Sequence, residues 1–524
     1  MFFLQNESGV TTATIGQKFP DLVKAIIGDF GSVLPETILS VGVCWVILAD
    51  VFAKENNSRR IGFYALTTVI ATVIALWAQG VPQKPTVHFA DMIVLDGYGW
   101  FFKLLILVGT AICIPMMMIH PGLSNRRMGE FYGLLLGSVV GMFLMVSAKN
   151  LLMVYLGIEF ASITCYLLTA YQKDDRFASE GGLKYVIYGS VASGLMVYGL
   201  SWMYGLTGSL DIAQISQRLI VEGHADKTAL VAALFTFTGF AYKIAAFPMH
   251  FWCPDVYQGA SLPFTAFLSV VSKAAGFAVF IRFVAAFAPE QAFALTQQDG
   301  ATFAIAWPEI LGIIAAITMT IGNFAALFQD NLKRLLAYSS IAHAGYLLMG
   351  LTSMAAKEQG ATLNDAAWWS VAFYLVVYLF MNLGAFLIVA IVSAKSGDES
   401  VHALRGLSKR NFWLAAAMLT LLVSLIGIPP TAGFTGKWQL LQQVVDAGFW
   451  KLAVLAAVNT AVSAWYYLRL VKIMFLDDAG DAPRLTPTPA LGAFVFLLVM
   501  PVFYLFFYTG PTIEAIRRLS FSIG

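Results

Sequence analysis

The stretch Ala233-Leu-Phe-Thr-Phe-Thr-Gly-Phe-Ala-Tyr-Lys243-Ile-Ala-Ala-Phe-Pro248 is apolar enough to cross a bilayer, yet it holds a lysine and then a proline. Three more ionisable residues are stranded in the same way. They are Glu159 in Tyr155-Leu-Gly-Ile-Glu-Phe-Ala-Ser162, Lys273 in Val271-Ser-Lys-Ala-Ala-Gly276, and Lys437 in Gly427-Ile-Pro429-Pro430-Thr-Ala-Gly433-Phe-Thr-Gly436-Lys437. A charge at bilayer depth costs about 2.5–3.5 kcal/mol on insertion scales, so its presence in a span points to use. The natural use is moving protons or cations.

Composition places the whole chain in the membrane. Hydrophobic residues make up 59% of 524 and charged residues 12%, with a mean hydropathy of +0.75. Soluble chains carry about 25% charged residues. A net charge of +2 implies no acidic or basic partner, and nucleic acid is not expected as one. Cys44, Cys113, Cys165 and Cys253 are scattered, which suggests neither an iron–sulfur cluster, zinc nor a disulfide framework. Neither a G-x-G-x-x-G nor a Walker A motif is present, so no cofactor is expected in this chain and any electrons travel elsewhere. Residues 1–31 do not read as a cleavable signal peptide.

An all-α polytopic fold follows, because a span needs about 20 mostly apolar residues. Fourteen stretches qualify, near 33–53, 60–79, 100–119, 130–148, 150–171, 181–206, 228–250, 262–287, 305–328, 334–351, 366–394, 412–442, 450–475 and 489–510. Trp100, Trp307, Trp368 and Trp369 fit interfacial belts. Connections after odd-numbered spans carry Lys54, Arg59, Arg60, Arg126, Arg127, Lys173, Arg176, Lys333, Arg334, Lys395, Arg405, Lys409, Arg410 and Arg484. Those after even-numbered spans carry Lys84, Arg218, Lys227, Lys357 and little else. The bias puts the odd-to-even connections in the cytoplasm and both termini outside. The stretch His402 to Asn411 reads as a short cytoplasmic linker.

Spans seven and twelve each combine proline with lysine. Proline removes a helix hydrogen bond, and in lipid the freed carbonyls need protein or water partners. Each site therefore predicts a discontinuous helix lining a hydrated cavity. The two lie five spans apart, which suggests two inverted five-span repeats. The expected units are 1–32 (N-terminal segment), 33–128 (spans one to three), 129–290 (first repeat), 300–476 (second repeat) and 485–524 (span fourteen and tail).

Each candidate also has a structural reading. Glu159 pairs with Lys243 in a switchable ion pair, each favouring the charged form of the other, or is neutralised in a helix contact. Lys273 is a relay, or incidental at a small-residue packing site. Lys437 is a terminal proton carrier, or snorkels from the broken end. His343, in Ser339-Ser-Ile-Ala-His-Ala-Gly-Tyr346, is a relay titrating near neutral pH, or a satisfied core histidine. For Lys184 and His250 snorkelling competes evenly with a role in transfer. Lys103 and Lys149 read as interfacial, and Lys333-Arg334 as a helix start.

Four motifs together resemble the antiporter-like subunits of respiratory complex I. They are Phe247-Pro-Met-His-Phe-Trp-Cys-Pro-Asp-Val-Tyr-Gln-Gly-Ala260, Asn331-Leu-Lys-Arg-Leu-Leu-Ala-Tyr-Ser-Ser-Ile-Ala-His-Ala-Gly-Tyr-Leu-Leu348, Gly427 to Lys437, and Tyr155 to Glu159. The resemblance covers roughly residues 33–510. Within this group the chain is most similar to the N-type subunits (chain 2) of NADH–quinone oxidoreductase. The wording Asp255-Val-Tyr-Gln-Gly-Ala, the end of the chain after span fourteen, and a lysine in span twelve favour that branch. Lys149-Asn150 and Ser261 depart from the family's pattern.

The resemblance implies a proton-translocating subunit, with Glu159, Lys243, Lys273, His343 and Lys437 in proton transfer; Lys184 is a further candidate for it by its place in span six. It implies other membrane-arm subunits as partners and no homo-oligomer, in a bacterial plasma membrane or an equivalent energy-coupling membrane. The complex would carry iron–sulfur clusters, use a quinone, and have FMN as a further candidate cofactor. The electron donor stays open between NADH, ferredoxin and another carrier. Two rivals stand: a subunit of a multi-subunit sodium/proton antiporter, and a scaffold that conducts nothing.

Overall fold

A backbone in lipid must satisfy its own hydrogen bonds, and apolar runs of this length do so as helices. The computed structural model describes residues 20, 23–24, 26–53, 58–123, 128–220, 227–287, 307–355, 368–480 and 483–522. Among them are twelve helices long and apolar enough to span a membrane, and two shorter apolar helices at the stretches expected to be broken. In chain order they are α1 (Leu34–Val51), α2 (Ser58–Gln79), α3 (Gly97–Ile119), α4 (Gly129–Ser147), α5 (Leu151–Thr169), α6 (Arg176–Thr207) and α7 (Lys227–Ile244). Then follow α8 (Leu262–Ala286), α9 (Trp307–Ala326), α10 (Leu332–Ala355), α11 (Trp368–Ser396), α12 (Phe412–Ile426), α13 (Trp450–Phe475) and α14 (Pro489–Phe507). Their starts are set locally. Asp96 caps Gly99 N at 2.8 Å, Asn150 caps Leu152 N at 2.8 Å, and Asn411 caps Leu414 N at 3.0 Å.

Lipid gives no hydrophobic drive between helices, so close packing must hold them. Small residues do this at several helix pairs. A Cβ on Gly141 of α4 would lie 2.6 Å from the backbone N of Ala161 in α5. One on Gly322 of α9 would lie 2.5 Å from that of Ala342 in α10. The centre of the bundle is α8, which is wholly buried, and α10, which is 94% buried. Helices α1, α6, α13 and α14 form the rim, with exposed Trp45, Ile187, Trp465 and Phe496 among their side chains.

The structure corrects several expectations. A small antiparallel hairpin, β1 (Thr86–His88) and β2 (Ile93–Leu95), joins α2 to α3, with Thr86 opposite Leu95 and His88 opposite Ile93. Its strands are too short for a periodicity to announce them. Trp368 and Trp369 are core residues, not belt residues: Trp368 packs on Tyr98 and Phe521, and the Arg517 guanidinium lies 3.9 Å over Trp369. Trp100 is also buried and donates to the Leu76 carbonyl at 3.0 Å. The linker 402–411 is folded, with Arg410 donating to the carbonyls of Ala403 (2.8 Å) and Pro483 (3.0 Å). Lys54, Arg126, Arg127, Lys357 and most of the N-terminal segment 1–32 lie outside the described residues.

One charge in the core escaped the sequence reading. Arg282 of α8 is fully buried and grips Asp96 with two nitrogens, at 3.0 and 3.1 Å. It also donates to the Val146 carbonyl at 3.2 Å and to the Ser522 carbonyl, and lies 4.9 Å over the Tyr98 ring. One side chain thus ties α3, α4, α8 and the C-terminal tail together. Removing one partner of a buried pair costs about 3–5 kcal/mol, because the other charge is left uncompensated. Arg282→Met is therefore expected to lower the thermal unfolding midpoint of the purified complex sharply. Arg518→Met, which removes an exposed pair with Glu514, is expected to leave it unchanged.

Candidate functional site: a buried polar axis

Both expected breaks are present. Helix α7 ends at Ile244, Ala245 takes a left-handed φ of 57°, and the chain resumes as the short helix Trp252–Gly259. Helix α12 ends at Ile426, Gly427 takes a φ of 89°, and the chain resumes as Ala432–Asp446. The Phe247–Pro248 and Pro429–Pro430 peptides are cis. The broken ends are answered by donors, as orphan terminal carbonyls require. Trp252 Nε1 donates to the Tyr242 carbonyl at 3.1 Å. Lys437 Nζ donates to the carbonyls of Leu425 (3.0 Å) and Ile426 (2.9 Å). The negative end of the helix dipole favours a cation there. So Lys437 does not snorkel to an interface; it turns back onto the break, with its ammonium 4.5 Å over the Tyr346 ring.

The other residues lie along the bundle centre. Lys243 is buried in the last turn of α7 and donates to Ser162 Oγ at 3.1 Å. Glu159 is half-buried and accepts from Ser193 Oγ. Glu159 and Lys243 are therefore not closed into an ion pair here. Glu159 and Ser162, the partner of Lys243, are three apart on α5, which places them as neighbours on one face. Lys273 donates to Ser340 Oγ at 2.6 Å and to the Ser340 carbonyl at 3.0 Å. It follows a one-turn π-helix, Leu268–Ser272, a distortion that recurs at functional sites. Gly276, one turn on, is the residue against which the Lys243 stem packs: an added Cβ would lie 3.1 Å from its Cγ.

His343 joins the two halves of this line. Its Nδ1 shares a hydrogen with Tyr374 Oη at 2.6 Å, and its Nε2 lies 3.5 Å from Tyr467 Oη. Tyr374 in turn packs against Gly436, beside Lys437: an added Cβ there would meet the ring at 2.6 Å. Ser340, His343 and Tyr346 sit three apart along α10, one after another. Lys243, Lys273, His343 and Lys437 are thus buried beside hydroxyl and carbonyl groups in an apolar bundle, with half-buried Glu159 next to the partner of Lys243.

Two candidates stand apart from it. Lys184 is over a third exposed and pairs with Glu180 (2.7 Å) and Asp255 (2.6 Å); Arg334 takes the other Asp255 oxygen. That cluster clamps α6 to α10 at the bundle's end, so Lys184 is not brought into the axis. His250 is buried between Phe247 and Phe251, away from the other candidates, and its Nδ1 has no partner among the described residues. Lys149 pairs with Asp211 at 3.0 Å, ten residues before Glu159. That is about 15 Å along a helix, so it is no neighbour of Glu159. Lys333 pairs with Glu399 at 2.8 Å. Lys103 is buried against Glu36 at 2.6 Å and is not interfacial. Sequence reasoning missed the hydroxyl partners Ser162, Ser193, Ser340 and Tyr374. Their one legible signal is the three-residue spacing of Ser340, His343 and Tyr346.

The family profile described as NADH:quinone oxidoreductase/Mrp antiporter, transmembrane, matches residues 148–463, which hold the whole line. The chain belongs to this family. It is 42% identical over 496 residues to NADH-quinone oxidoreductase subunit N of Anaeromyxobacter sp. (strain Fw109-5), covering 90% of this chain and 93% of that one. It is 37% identical to subunit N of Chlorobium chlorochromatii, covering 94% and 95%. Among solved structures it is similar to a chain of respiratory complex I from Thermus thermophilus, with 29% identity, a TM-score of 0.75, and coverage of 93% and 100%. A chain of the Mrp complex from Dietzia sp. shares the fold, with a TM-score of 0.71 at 19% identity. The chain is an antiporter-like membrane subunit of the complex I type, of the subunit N branch. Of the two rivals, the multi-subunit antiporter shares the family, but the relatives at high coverage are subunit N chains.

The second break has a sharp steric requirement. A Cβ on Gly433 would lie 1.7 Å from the Ser424 carbonyl oxygen, while one on Gly492 meets nothing within 4 Å. Gly433→Ala is expected to cut the amount of chain recovered in assembled complex from membranes, and Gly492→Ala to leave it at the wild-type level.

Proposed function

We propose that Glu159, Lys243, Lys273, His343 and Lys437 form the path by which this proton-translocating subunit moves its proton. The observation that carries the proposal is the placement of every one of these groups on a hydrogen-bond partner inside an otherwise apolar bundle. A buried ammonium has few ways to be stabilised, so each change of neighbour changes its hold on a proton. In this structure Lys243 rests on Ser162 and Glu159 on Ser193. Closing the Lys243–Glu159 pair would favour the charged lysine, and opening it would favour release of a proton toward Lys273. From Lys273 the proton passes by Ser340 and His343, with Tyr374 as the hydroxyl beside the last step to Lys437. Two broken helices supply the small backbone adjustments at Lys243 and Lys437 that such switching needs.

The two breaks, five spans apart, support a division into repeats at 129–290 and 300–476, with α1–α3 and α14 flanking them. The hairpin end of the bundle is read as the non-cytoplasmic side, with both termini there. The driving electron transfer belongs to other subunits, which hold the iron–sulfur clusters, FMN and the quinone. NADH is the electron donor that the subunit N relatives indicate by name. A bacterial plasma membrane suits all of this.

Glu159→Gln and Lys243→Ala are each expected to leave assembly intact while quinone-linked proton uptake into proteoliposomes falls roughly tenfold or more, as loss of a proton-transfer group does. Unchanged pumping in assembled complex would overturn the assigned roles and favour a scaffold. Tyr374→Phe keeps the ring against Gly436 but removes the His343 partner. A smaller fall in proton uptake is expected there, with quinone reduction measured in parallel.

A further inference from the structure

A second buried ion pair lies off the central axis. Lys103 of α3 and Glu36 of α1 meet at 2.6 Å, with the two residues 4% and 8% exposed. Nothing in the line from Glu159 to Lys437 uses them. Beside them a cavity of about 250 Å³ opens between α2, α3 and the hairpin. Its walls include Lys103, Asp96, Ser147, Gln79, Thr86 and His88. Two polar atoms are buried here with no partner among the described residues: Ser147 Oγ, in a lining residue 1% exposed, and Glu36 Oε2, in the carboxylate that the lining residue Lys103 holds. Buried polar groups normally have partners, and those lacking one in the protein commonly bond a held water. A polar cavity of this volume has room for several waters.

We propose that this cavity is a water-filled vestibule on the hairpin side and that Glu36–Lys103 at its base is a proton-binding site exchanging with that side. The step is simple: hydronium from the vestibule gives a proton to the Glu36 carboxylate, leaving water, and Lys103 loses its counter-charge. The return step restores the pair and sends the proton back to the vestibule. The surrounding charges leave Glu36 as the group free to exchange. Asp96 is held by Arg282 and by Ser522 N (3.1 Å), and His88 is tied to Asp29 at 2.7 Å. Helix α4 places the Phe143 ring 5.6 Å from the Lys103 ammonium. Helix α2 contributes the neutral Gln79.

Two measurements on the whole complex test this. The first is labelling of Ser147→Cys, in a Cys44→Ser background, by a charged thiol reagent that does not cross membranes. Labelling from the hairpin side well above the Cys44→Ser parent is expected, and labelling no greater than the parent's would overturn the vestibule. The second is infrared difference spectroscopy across quinone reduction. A protonated-carboxyl band that disappears in Glu36→Gln is expected, and a spectrum unchanged by that substitution would overturn proton exchange and leave a helix clamp. Should Glu36→Gln fail to assemble, Glu36→Asp keeps a carboxylate at the site: a band shifted by that substitution is expected, and a spectrum unchanged by it refutes the exchange.

Discussion

A charge at membrane depth must be given a partner, and the rest of this structure follows from that constraint. Lys437 answers the two carbonyls that the Gly427 break exposes. Lys273 answers Ser340, and Lys243 answers Ser162. Arg282 takes both oxygens of Asp96. In each case the partner comes from a different helix or from the far side of a break. The same bonds that make the charges tolerable therefore also fix helix positions. The distinction between structure and function is one of partner strength: Arg282 meets a full carboxylate on two bonds, whereas the axial lysines meet neutral hydroxyls and carbonyls that release them more easily.

That difference supports the proposed proton path along these residues. Hydroxyl and imidazole groups offer a lysine several nearly equivalent resting places, and exchanging one for another is a small motion. The π-turn before Lys273 and the broken ends near Lys243 and Lys437 put the least regular backbone beside the residues that have to change partner. Elsewhere the helices are pinned, by glycine contacts such as Gly141 on Ala161 and by caps such as Asn150 and Asn411.

Much of this was legible in the sequence because charge and proline are conspicuous inside apolar runs. Glu159, Lys243, Lys273 and Lys437 announce themselves that way, and so do both breaks. Their partners do not. Serine and tyrosine are ordinary in membrane spans, so Ser162, Ser193, Ser340 and Tyr374 carry no mark until helices α5, α6, α10 and α11 are placed. Arg282 sits near the end of its span, where a cation reads as interfacial, and only the fold brings Asp96 to it. For Lys184, where snorkelling and transfer compete evenly in the sequence, the structure adds a partner the sequence does not show: Asp255, seventy-one residues away in the chain. Trp368 and Trp369 misled, since a tryptophan pair at a span end suits a belt and a core equally.

The central claim is that Lys273 and Lys437 serve one continuous path. A double-mutant cycle on proton translocation by the reconstituted complex tests it most directly, comparing Lys273→Met, Lys437→Met and the double variant in assembled enzyme. Groups acting in series are strongly non-additive. The account predicts that the double variant pumps no worse than the more impaired single. Losses that multiply, each lysine subtracting its own share independently, would contradict it.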